Sequence, residues 1–113
     1  MADTISEADF QERAATAIEE LEASFGKLSG RGVEADLQAG VLKVTFDEPE
    51  EGTFVISPNG PARQVWVSAR LTSWKFDWLP ELKLFALHGT KEPLWGVLQR
   101  LTREQLHDPS VDL

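Results

Sequence analysis

Between Val33 and His88, six short segments alternate apolar with polar residues, and only a few residues separate each from the next. Alternation with a period of two marks a strand with one buried face. Parallel neighbours need a crossover of a dozen or more residues, which none of these connections supplies. The segments must therefore pair as an antiparallel meander, which removes βαβ and all-helical architectures at once.

In VEADL, Val33, Ala35 and Leu37 face inward and Glu34 and Asp36 outward. Ala39-Gly40 signals a tight turn, after which GVLKVTF sets Leu42, Val44 and Phe46 on one face, with Lys43 and Thr45 on the other. The acidic loop DEPEEG leads into TFVIS, and PNGP punctuates the chain before RQVWVSAR, Arg63 to Arg70. SWKFDW and LKLFALH complete the set on either side of Leu79-Pro80-Glu81, with Trp74, Phe76 and Trp78 on one face expected to be mostly core.

Helices flank the strands. Ser6 is the expected N-cap, and Asp9 suits the positive end of the helix dipole. Phe10, Ala14, Ala17, Ile18, Leu21 and Phe25 form one continuous stripe, which Gly26 is placed to end. Beyond Gly89, Pro93 opens a second helix with Leu94, Val97, Leu98 and Leu101 on its apolar face and Trp95 at the edge. The tail HDPSVDL is expected to be loosely attached. Two helices at opposite ends of an antiparallel sheet are most economically buried on the same sheet face. The expected fold class is α+β, a two-layer α/β sandwich of two helices on an antiparallel sheet of about six strands, forming a single domain over residues 1–113.

The other sheet face is then open. Val65, Val67 and Ala69 take the core side, which leaves Gln64, Trp66 and Ser68 on the open one. An exposed tryptophan offers a large apolar area with a donor edge and commonly anchors an interface. The alternative is that a loop covers Trp66, or that Arg70 or Lys75 stacks on it.

Charge narrows the partners. The formal net charge is −8, unevenly spread: residues 1–52 hold thirteen acids and four bases, a net of −9, whereas residues 53–113 hold six acids and seven bases, a net of +1. An acidic half disfavours nucleic acid or anionic membrane and favours a cation or a basic protein surface. No apolar stretch approaches the roughly 20 residues that cross a bilayer, and MADTISEADF lacks the basic segment and apolar run of a signal peptide. With no cysteine there are no disulfides, thiolate ligands or thiol nucleophiles, and the cytoplasm is the expected location. No nucleophile–base set or phosphate loop is legible, which argues against a conventional enzyme. His88 and His107 read as ordinary surface histidines.

Around the first helix, Glu12, Glu19 and Glu22 line one flank of the apolar stripe, and Glu20 lies further round. With Glu34 and Asp36 they offer hard oxygen ligands of the kind that take Fe²⁺, Fe³⁺, Mn²⁺ or Ca²⁺.

The element order, together with GVLKVTF, GTFVIS, RQVWVSA, WKFDW and LWGVL in sequence, resembles the frataxin family in its bacterial form over roughly residues 6–106. The resemblance implies a small iron-binding protein that engages the cysteine desulfurase and the scaffold protein of iron–sulfur cluster assembly, modulating sulfur transfer and donating or sensing iron. It implies two surfaces. One is an acidic ridge on which Glu19, Glu20, Glu34 and Asp36 match family positions and Glu22 is a close neighbour. The other is the exposed Trp66, flanked by Gln64 and Ser68. ASFGKLSGRG departs from the pattern, because Lys27 and Arg31 stand where the family carries acids, and this implies fewer iron sites or weaker ones. Asp47, Glu48, Glu50 and Glu51 either compensate as a second cluster or form a solvated loop.

The expected function is therefore an iron-binding adaptor or regulator of cluster assembly, monomeric, with iron held weakly at surface carboxylates and no nucleic-acid or membrane partner. The alternatives are a stand-alone iron store or weak ferroxidase, and an acidic interaction domain without an iron role.

Overall fold

The computed structural model describes residues 5–113. The elements run α1 (Glu7–Gly26), a 3₁₀ turn (Ser29–Arg31), β1 (Val33–Gln38), β2 (Val41–Phe46), β3 (Gly52–Asn59), β4 (Gln64–Ala69), β5 (Thr72–Leu79), β6 (Leu84–Leu87) and α2 (Leu94–Leu106). The strands form one sheet in chain order, antiparallel throughout. The meander required by the short connections is what forms.

Capping and patterning account for α1. The Asp9 amide donates to the Ser6 hydroxyl at 3.1 Å, and Phe10, Ala14, Ile18, Leu21 and Phe25 are buried on one side. The exit differs from expectation. Gly26 is the last helical residue and Lys27 stays right-handed; the reversal comes at Gly32, whose φ of 76° turns the chain into β1.

Buried residues of both helices and of the inward strand face make one core. Phe46 packs on Phe54 with ring centroids 4.7 Å apart, and Phe10 meets the edge of Phe85 at 6.0 Å. Of the three aromatics on β5 only Phe76 is fully buried. Trp74 and Trp78 are half-buried at the rim of the core, beneath the guanidinium groups of Arg100 and Arg13 respectively.

Several strand limits move: β3 runs on through Pro58 and Asn59, which PNGP marks as a break, and two other limits are set by turns. β4 ends at Ala69, because Arg70 and Leu71 (φ 50° and 65°) make the same left-handed two-residue turn that Ala39 and Gly40 make between β1 and β2. That turn favours Asn or Gly, and here a fully exposed leucine holds a strained position. Leu71→Gly is expected to raise stability by up to about 1 kcal/mol, read as a higher midpoint in chemical denaturation. β6 begins at Leu84 rather than Leu82, since the Leu82 and Lys83 amides both donate to the Leu79 carbonyl and close a turn.

The C-terminal tail is docked, contrary to the expectation of a loose end. His107 adopts φ 52° and turns the chain back along α2. Val111 is 3% exposed, and Leu113 packs against the core. The Arg103 Nε donates to the Val111 carbonyl at 2.6 Å, Trp95 Nε1 to the Leu113 carbonyl at 3.4 Å, and the Leu113 amide to Gln99 Oε1 at 3.1 Å. The polar, proline-containing sequence hides these anchors because only two of its residues are apolar and they follow no period.

Asp108 ties the tail to the rest of the fold through Arg31, at 2.8 Å. The Ser110 hydroxyl and amide, then the Arg31 guanidinium, hold its carboxyl at about 2, below the ordinary 3.8. A depressed folded-state value stabilises the docked tail above about pH 4, and that contribution is lost as the pH falls through about 2. Protection of the amides of residues 108–113, corrected for the intrinsic pH dependence of exchange, should therefore fall over this window in the native chain, whereas Asp108→Asn should remove that step.

Candidate functional site

Register decides what the open sheet face carries. Asp36 lies opposite Lys43, Lys43 opposite Val55, Val55 opposite Ser68, and Ser68 opposite Ser73. One step along, Ser57, Trp66 and Lys75 lie side by side, and Gln64 stands between Asn59 and Asp77. The period of two carries Glu34 and Asp36 to this same face, on the edge strand β1, and both are exposed. Trp66, Gln64 and Ser68 thus share one face with the β1 carboxylates.

Trp66 is 36% exposed, and no loop among the described residues covers it. Lys75 Nζ sits 4.9 Å from the centroid of its ring, so the stacking alternative also holds in part. Its indole N–H donates to Gln64 Oε1 at 3.0 Å, and Gln64 Nε2 donates to Asp77 Oδ1 at 3.0 Å. Gln64 therefore orients Trp66 instead of presenting a free amide, while the Ser68 side chain is exposed. Val41, also 36% exposed, Val55 and Lys43 extend the surface. Sequence reasoning did not single these out. Nor did it find Asp77, whose role depends on lying opposite Gln64, a fact that only the strand register supplies.

The candidate carboxylates separate. Glu22, half-buried, and Glu34 line a shallow depression with Gly26 and Ser29, where α1 ends and β1 begins. Glu19 is exposed on α1. Glu20 turns away from this group into a cleft between α1 and α2, beside Trp78 and Trp95. Among the described residues, no three His, Asp or Glu side chains converge closely enough to hold a metal ion. The arrangement can offer iron isolated carboxylates and pairs of them, each weak and screened by salt. One positive charge set against the acids is already spoken for, because Arg31 is paired with Asp108.

The 47–51 loop is pinned to the fold. The Asp47 amide donates to the Gly32 carbonyl at 3.0 Å, Gln105 Nε2 donates to the Glu50 carbonyl at 3.0 Å, and the Glu50 carboxylate contacts His107. The histidines are distant from the acids in sequence but not in space: His88 Nδ1 lies 3.4 Å from Asp77 Oδ2.

Known proteins share this architecture. The frataxin-like domain family matches residues 3–108. The iron-sulfur cluster assembly protein CyaY of Pseudomonas fluorescens is 30% identical over 102 residues, 90% of each chain. That of Pseudomonas syringae is 38% identical over 78 residues, 68% of each chain, and that of Pseudomonas aeruginosa 36% over 66, spanning 58% of this chain and 59% of that one. A solved frataxin from Psychromonas ingrahamii superposes with a TM-score of 0.78 at 16% identity, covering 92% of this chain and 94% of that one. Element order, sheet topology and sequence together make this chain a member of the frataxin-like family.

Proposed function

We propose that this chain is an adaptor of iron–sulfur cluster assembly that docks through its open sheet face on the complex of cysteine desulfurase and scaffold protein. One observation carries the reading: the strand register sets Trp66 and the carboxylates of Glu34 and Asp36 on the same exposed face. An aromatic anchor on β4 that shares a face with carboxylates on the edge strand β1 suits a partner with an apolar pocket and a basic rim. The relatives named for cluster assembly support the pathway.

Iron, in this reading, is cargo. It binds weakly at Glu22, Glu34, Asp36 and Glu19, with Glu20 at a separate position. Replacing Glu19, Glu20, Glu34 and Asp36 with their amides is expected to weaken both partner and iron binding, with a smaller loss at high salt because exposed charges are screened there. Calorimetric titration of the chain into the desulfurase–scaffold complex at two salt concentrations tests this. Affinity that is unchanged by the four substitutions would reject the charged component of the docking.

The separation of the carboxylates favours a second reading, an acidic interaction domain without an iron role. It predicts complex formation with no site-specific response to Fe²⁺ under anaerobic conditions.

A further inference from the structure

Away from the open face, a cleft of about 300 Å³ runs between α1 and the start of α2, above β5 and β6. Ala17, Trp78, Leu84, Phe85, Leu94 and Trp95 give it apolar walls, and no residue beyond Trp95 contributes, so the docked tail leaves it open. Trp78 and Phe85 meet edge to face with centroids 5.1 Å apart, forming an aromatic corner. The volume lies at the lower end of those that hold small ligands.

Its rim carries a net positive charge. Arg13 and Lys83 both line the cleft, with Glu20 the one acid among its lining residues. In a chain of net charge −8, neither cation has a carboxylate partner among the described residues; Arg63 and the other lysines share that condition, and what sets Arg13 and Lys83 apart is that both line one cleft. The Arg13 guanidinium lies over Trp78, 5.4 Å from the ring centroid, which holds it at the mouth of the aromatic corner. Lys83 is placed there by the β5–β6 turn, where φ 54° and an amide bond to the Leu79 carbonyl fix its backbone.

We propose that this cleft binds a small aromatic monocarboxylate. The ring fills the corner made by Trp78 and Phe85, and the carboxylate pairs with Arg13 and Lys83. Apolar walls alone would accept a neutral molecule equally well. The two cations set the preference for an anion: the planar Arg13 guanidinium pairs with a carboxylate in well-defined geometry, and the Lys83 ammonium adds a point charge. The site is independent of Trp66 and of the acids on β1.

The test is an NMR titration of the isotopically labelled full chain with 4-phenylbutyrate, and separately with its neutral amide. Saturable shifts are expected at residues 13–20, at 83–85 and at the Trp78 and Trp95 indole N–H groups, with the carboxylate bound roughly tenfold more tightly than the amide. The double variant Arg13→Gln with Lys83→Gln should lose that preference while retaining the dispersed spectrum of the folded chain. Lys83→Gln alone, in an exposed turn, supplies the same comparison if the double variant does not fold. Absence of saturable shifts, equal affinity for acid and amide, or an undiminished preference in the variants would each overturn the proposal.

Discussion

Trp66→Ala is expected to lower affinity for the proposed partner, the desulfurase–scaffold complex, by roughly thirtyfold, about 2 kcal/mol, on the scale of an aromatic anchor at the centre of an interface. The fold is expected to survive. Trp66 packs on the open side of the sheet and its buried neighbours Val65 and Val67 are untouched, so the substitution removes the Lys75 stacking, one exposed hydrogen bond and packing on the open face but leaves the core intact. Stability should change by no more than about 1 kcal/mol. Gln64→Ala separates orientation from contact. Without Gln64 Oε1 the indole loses its tether, so affinity should fall by less than in Trp66→Ala. Equal affinity of Trp66→Ala and the native chain, measured by calorimetry, would remove Trp66 from the interface.

Val111→Asp acts on stability instead. Val111 is buried against the core, and the nearby Arg103 is already engaged, donating to the Val111 carbonyl and lying beside Asp112. Burying an unpaired acid or expelling the tail costs about 3 kcal/mol or more. For a domain of this size the melting temperature should then drop by more than about 10 °C. A change of only a degree or two would mean that the tail contributes little and that the expectation of a loosely attached end was the better one. Binding to the desulfurase–scaffold complex, corrected for the unfolded fraction, should be unaffected, because the tail packs on the helical layer.

What could be read from the sequence follows the physics of periodicity. Alternation placed Leu42, Val44, Phe46, Val65 and Val67 in the core and Trp66 outside it, because the side-chain period of a strand is insensitive to small errors in its ends. The helix stripe from Phe10 to Phe25 was legible for the same reason. Boundaries were less so. Arg70 and Leu71 form a left-handed turn without asparagine or glycine, so no local signal separated them from the strand. The tail could not be read at all, because Val111 and Leu113 are held by isolated tertiary contacts with Arg103, Gln99 and Trp95.

The site was legible in part. The outward direction of Glu34, Asp36 and Trp66 came from strand parity. The position of Glu20 on a different side of α1 from Glu22 followed from the helical angle between them, and the cleft beside Trp78 and Trp95 gives that angle its consequence. The Asp77–Gln64–Trp66 chain of hydrogen bonds was beyond reach, since it depends on which residue of β5 stands opposite Gln64. His88 meets Asp77 across the β5–β6 hairpin, where again only the register was hidden, whereas His107 meets Glu50 across elements whose proximity the linear chain does not reveal.

The most direct test of the docking surface is an anaerobic NMR titration of the labelled chain with the desulfurase–scaffold complex. Signals are expected to broaden first at Gln64–Ser68 and at Glu34–Asp36, with Lys43, Val55, Lys75 and the Glu19–Glu20 part of α1 following and the outer face of α2 little changed. Broadening confined to the helical layer, or none at all at saturating complex, would contradict docking through the open face.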